Sequence, residues 1–105
     1  MGNITNLATH GNYATEANGL KVAFAFVINN DTRNIKSISA GTVTEVDAED
    51  DNSLADFATT EYGRPTGSEI RLSINVRRGR EVELATAIAG AISGLEAKIV
   101  AGEAL

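Results

Sequence analysis

The chain has 105 residues, a net charge of −5, one histidine and no cysteine. That length suits a single domain of residues 1–105 able to bury a core without staples, and the lack of cysteine excludes disulfides, thiolate metal sites and cysteine nucleophiles. The acidic balance argues against a domain devoted to non-specific binding along nucleic acid, although a local basic patch can still contact it.

Residues 1–11, MGNITNLATHG, are rich in Asn, Thr and Gly and read as an extended N-terminal arm. They lack the basic start and apolar run of a secretory signal, and no segment approaches the ~20 apolar residues of a membrane span. The expected location is therefore the cytoplasm, or a virion if the chain is viral. In NYATEANGLKVAFAFVI, Asn18-Gly19 separates two strand-like runs and supplies the two positive φ angles of a tight hairpin turn. The second run alternates Leu20, Val22, Phe24, Phe26 and Ile28 onto one face and Ala23, Ala25 and Val27 onto the other, which predicts a strand covered on both sides.

A polar loop, Asn29 to Asn34, leads into IKSISAGTVTEV, where the alternation slips at Ala40-Gly41 and predicts a bulge. The segment SLADFATTEYG predicts a short helix, with Ser53 as cap, Asp56 three residues on, Gly63 as stop, and Leu54, Phe57 and Ala58 buried. Arg64-Pro65-Thr66-Gly67 reads as a β-turn. EIRLSINVR predicts a half-buried strand with Ile70, Leu72, Ile74 and Val76 inward and Glu69, Arg71, Ser73, Asn75 and Arg77 outward. From about Glu81 to Val100 the periodicity favours a long helix over a hairpin turned at Arg78-Gly79. The expected fold is α+β: an antiparallel sheet of about four strands, with a short helix and a long C-terminal helix on one face.

Chemistry-bearing constellations are sparse. His10 has no orienting carboxylate or nucleophile near it in sequence, and one imidazole per chain cannot make a metal site alone. The acidic run Asp47-Ala48-Glu49-Asp50-Asp51 fails as a calcium loop, with Asn52 where the turn wants Gly and Ala58 where a bidentate Glu belongs. No catalytic residue, cofactor or metal is assigned. Arg77, Arg78 and Arg80, with Arg71 upstream, form a basic strand-to-helix turn where an anion or nucleic acid can be held, without the glycine spacing of a nucleotide loop.

The stretch LATAIAGAISGL, Leu84 to Leu95, carries no charge in twelve residues. At 100° per residue, Leu84, Ile88, Ile92, Leu95 and Ile99 fall on one arc, and Ala87, Gly90, Gly94, Ala97 and Ala101 on the opposite one. The first arc is core, worth roughly 8–15 kcal/mol gross when buried. The second is odd, because two glycines inside a helix cost about 2 kcal/mol relative to alanine. Their presence predicts close approach by another backbone, best supplied by a second copy of the chain.

The run LSINVRRGREVELATAIAGAISGL, a strand followed at once by an apolar helix, resembles the closing strand and helix of small RNA-phage coat proteins. It covers about a quarter of the chain. The resemblance implies an interlocked, shell-building homo-oligomer, with Arg71, Ser73, Asn75 and Arg77 on the sheet face toward the genome. The middle of the chain departs from that pattern, with a helix expected where those proteins have sheet. Together these features predict a non-catalytic, self-associating structural protein such as a virion component. The alternatives are a small anion- or ligand-binding domain using the basic turn, and an enzyme using carboxylates and arginines alone.

Overall fold

Asn18 and Gly19 both take positive φ, 55° and 79°. They close a two-residue hairpin between β1 (Ala8–Ala17) and β2 (Leu20–Asn29), paired in unbroken register from Ala17 and Leu20 out to Ala8 and Asn29. In this computed structural model the described residues are 8–47, 52–59 and 69–102. Residues 8–11 of the expected arm are therefore part of β1; residues 1–7, most of the acidic run and the Arg64–Gly67 turn lie outside the described residues.

The chain then meanders. An Asn29-anchored turn, in which the Asn29 carboxamide oxygen accepts from the backbone N–H groups of Asp31 and Thr32 (2.9 and 3.2 Å), leads into β3 (Asn34–Glu45). After it come β4 (Ala55–Thr59), β5 (Leu72–Val76) and α1 (Glu81–Ala101). The five strands form one antiparallel sheet in the order β1-β2-β3-β4-β5, with the long helix on one face. The α+β expectation holds, with five strands rather than about four.

The extra strand stands where the short helix was expected. Ala55 and Phe57 point into the core while Asp56 points out, and β4 fills the ladder between β3 and β5. A helix in this place would leave the facing backbone groups of both neighbours unpaired, a cost that outweighs weak local propensity. The Ser53 hydroxyl, expected to cap that helix, instead donates to the Asp56 carboxylate at 3.1 Å. Where β4 ends, the Thr59 hydroxyl continues the ladder, donating to the Ile38 carbonyl at 3.2 Å and accepting from the Ile38 N–H at 3.1 Å.

The slip at Ala40-Gly41 is a bulge: Ala23 faces Thr42 and Ala25 faces Ser39, so both residues oppose Phe24 alone, and Ala40 takes φ 52°. Its purpose is visible in the core. A Cβ on Gly41 would lie 2.6 Å from the Phe57 ring, so the glycine gives Phe57 room to lean across β3 onto Phe24, with ring centroids 5.8 Å apart. Tyr13 extends the row on the other side, 5.7 Å from Phe24. Onto this face dock Leu84, Ile88, Ala91, Ile92, Leu95 and Ile99 of α1, all buried. Of the inward set expected on β5, Ile70, Leu72 and Val76 are half-buried against the core, whereas Ile74 is 38% exposed.

β2 was expected to be covered on both sides, and α1 covers only one. Ala23, Ala25 and Val27 line the other face, where no other described element lies. Replacing Gly41 with Ala should cost about 1–3 kcal/mol through overpacking against Phe57. Urea denaturation checks this, and a midpoint equal to wild type would show that the ring row does not depend on the glycine.

Candidate functional site

Two regions carried the functional expectations: the basic turn before α1 and the small-residue arc of the helix. In the turn, Val76 ends β5, Gly79 takes φ 93° and Arg80 caps the helix without a side-chain cap. The Arg80 guanidinium spans two elements, donating from Nη1 to Glu45 at 3.0 Å and from Nε to Glu83 at 2.7 Å. These bonds raise the Arg80 pKa, and the Arg80 bond holds the Glu83 carboxyl below its usual range. Glu81 turns back to accept from the Gly79 N–H at 2.9 Å, and hydrogen bonds from its own N–H and that of Gly79 lower its pKa as well.

The electrostatics expected to draw an anion are thus engaged by the chain's own carboxylates: Glu81 takes a donor at the helix start, and Glu45 and Glu83 take Arg80. Arg77 and Arg78 are exposed on the turn, and Arg71 is exposed ahead of β5. The turn does not gather Arg71, Arg77, Arg78 and Arg80 around one centre: Arg80 leans back to β3, and Arg71 and Arg77 flank opposite ends of β5. His10 lies exposed on β1, and among the described residues no group of three His, Asp or Glu side chains is placed to hold a metal.

The helix arc divides. Ala87 and Gly94 turn toward the sheet, half-buried, with Ala87 packed against the core. A Cβ on Gly94 would lie 2.8 Å from the Tyr13 hydroxyl oxygen, so what approaches this glycine within the chain is a side-chain tip from β1 and not a backbone. Gly90, Ala97 and Ala101 face outward, and a Cβ on Gly90 would meet nothing within 4 Å. The outward surface is broader than the expected arc, because Val82 and Val100 are 82% and 88% exposed and Ala85, Ala89 and Ser93 are exposed between them. Their positions follow from the helical period: they lie beside Gly90, Ala97 and Ala101 on the side away from the sheet.

By length and mean hydropathy (1.5), α1 would also suffice to cross a membrane, contrary to the expectation that no segment approaches that composition. Its aliphatic arc is sealed against the sheet, with Leu84 and Leu95 wholly buried, which is the placement of a core helix. No protein-family model, curated protein or solved structure matches the chain.

The Gly94 contact yields a double-mutant prediction. Gly94→Ala should stabilise the wild-type background by less than the ~1 kcal/mol of helix propensity it adds, because its Cβ crowds the Tyr13 hydroxyl, and the full gain should appear in Tyr13→Phe, where the next ring atom stands at 3.8 Å. Additive effects in thermal unfolding would show that the hydroxyl does not set the glycine requirement.

Proposed function

We propose that this protein is a non-catalytic structural protein that self-associates through the outward face of α1. The carrying observation is the composition of that face: a 21-residue helix presents Val82, Gly90, Ala97 and Val100 to solvent, with no charge between Glu83 and Glu96. A helix surface made to face water normally carries Lys, Glu or Arg there. Small side chains let a second helix approach closely, and the exposed valines at the two ends supply apolar area to bury.

The finer reading is a shell-forming virion component, located in the virion or in the cytoplasm before assembly. It is supported by the likeness of residues 72–95 to the closing strand and helix of RNA-phage coat proteins. The middle of the chain, where a helix would have departed from that pattern, is strand β4. Ser73 and Asn75 stand outward on β5, as that reading requires.

Gly90 is the position that tests the contact, since Gly94 is committed to Tyr13. In an isolated chain Gly90→Leu should raise stability by up to about 1 kcal/mol through helix propensity. In the assembled protein it should weaken association, giving a smaller species in light scattering at equal concentration. A wild type that stays monomeric at high concentration, or a Gly90→Leu variant with unchanged mass, would contradict association through this face.

A further inference from the structure

Asn18 is the only asparagine in the sequence followed by glycine. It stands with Gly19 at the exposed tip of the β1–β2 hairpin, and a Cβ on Gly19 would meet nothing within 4 Å. We propose that this tip is a site of spontaneous chemical modification, where the Gly19 amide nitrogen closes onto the Asn18 carboxamide and converts it, through a cyclic imide, to aspartate and isoaspartate.

The atoms balance with water as the one co-reactant. The Gly19 amide gives its proton to solvent base, and its nitrogen attacks Cγ of Asn18. A C–N bond forms, the Cγ–Nδ2 bond breaks, and Nδ2 takes up a proton from solvent and leaves as ammonia. Water then opens the ring at one of its two carbonyl carbons. Attack at Cγ restores the original main chain and leaves aspartate. Attack at the main-chain carbonyl carbon leaves the chain running through Cβ and Cγ, as isoaspartate. Nothing is oxidised or reduced.

Sequence and structure together single out Asn18. Gly19 has no side chain to shield the attacking nitrogen, whereas Asn12, Asn34, Asn52 and Asn75 precede Tyr13, Ile35, Ser53 and Val76. The Asn18 carboxamide is held by no partner among the described residues. By contrast, the Asn29 carboxamide accepts from the Asp31 and Thr32 N–H groups, and that of Asn30 accepts from the Thr9 hydroxyl at 2.8 Å. A two-residue turn also leaves the Gly19 N–H outside the ladder, which begins at the Ala17–Leu20 pair.

The turn sets both the pace and the consequence. Ring closure requires the Asn18–Gly19 peptide plane to rotate. The Ala17–Leu20 pair opposes that rotation, as does the Val46 N–H, which donates to the Gly19 carbonyl at 2.9 Å. Conversion therefore proceeds from openings of the tip, and the Val46 bond is its brake. The two products act differently. Aspartate suits the turn, because Asp-Gly accepts the same pair of positive φ angles, here 55° and 79°. Isoaspartate adds a methylene to the main chain of a two-residue loop, whose span then no longer matches the facing strands, so pairing of β1 with β2 loosens from the tip. The inference is independent of self-association.

Ageing the full chain at mildly alkaline pH, followed by peptide mass mapping, tests it. Asn18 should convert about tenfold or more faster than Asn52, whose following Ser53 is the smallest such neighbour after Gly19. Gly19→Asn, which tolerates positive φ but sets a side chain beside the nitrogen, should slow conversion of Asn18 by about as much. Val46→Pro, which removes the tethering N–H, should speed it several-fold. Circular dichroism checks that both variants fold. The isoaspartate form, separated by ion exchange and identified with an isoaspartyl-specific methyltransferase, should unfold at lower urea than wild type, whereas Asn18→Asp should unfold with wild type. Conversion of Asn18 no faster than that of Asn52 would overturn the site. An unchanged rate in folded Val46→Pro would overturn the brake, and an isoaspartate form as stable as wild type would overturn the consequence. If Val46→Pro fails to fold, wild-type conversion in buffer and in denaturing urea decides, and equal rates there would overturn the brake.

Discussion

The docking of one aliphatic helix arc onto one aromatic-rich sheet face is the contact on which everything else in this protein depends. Leu84, Ile88 and Leu95 meet a surface made by Val22, Phe24, Phe26 and Ile28 of β2 and by Ile38, Val43 and Phe57 beyond it. All of these are buried, and no buried charged or polar residue is found among the described residues. The core is thus a single layer between one helix and one sheet, and its geometry leaves two surfaces over: the back of the helix and the back of the sheet.

Those surfaces differ from ordinary solvated faces in what they lack. On α1 the charges are gathered near the ends, at Glu81, Glu83, Glu96 and Lys98, leaving the middle small and uncharged. Across the sheet, outward alanines on β1, β2 and β4 replace the long polar side chains that usually shield an antiparallel face from water. A chain whose exposed residues were selected only for solubility has no need of either pattern. The proposed self-association through the outward face of α1 would cover the first of these surfaces.

Much of this was legible in the sequence where a local rule acts alone. Asn18-Gly19 specifies its turn by φ preference, and the helix follows from aliphatic residues repeating at the helical period, ending at Gly102 with φ 73°. The bulge showed itself as a slip in alternation at Ala40-Gly41. Tertiary pairing hid the rest. β4 is five residues long, and only the hydrogen-bonding needs of β3 and β5 make it a strand rather than the turn of helix its Ser53 and Asp56 suggest. The roles of Gly94 and Gly90 separate only once Tyr13 is known to lie beside one of them, and Tyr13 is distant in the chain. The Arg80 ion pairs were equally invisible, because Glu45 lies 35 residues away. Of the basic turn, Arg80 joins α1 to β3 through Glu45, while Arg77 and Arg78 are exposed.

The chain's lack of cysteine opens a direct test of whether the outer face of α1 is covered in solution. A single cysteine at Ser93, on the outer helix face, would report by its rate of thiol labelling, with a second variant at Asp31 in the β2–β3 turn as a reference. The Ser93 position should label as fast as the reference at high dilution and become protected as protein concentration rises, while the reference does not change. Labelling of the Ser93 position at the reference rate across the whole concentration range would contradict the account.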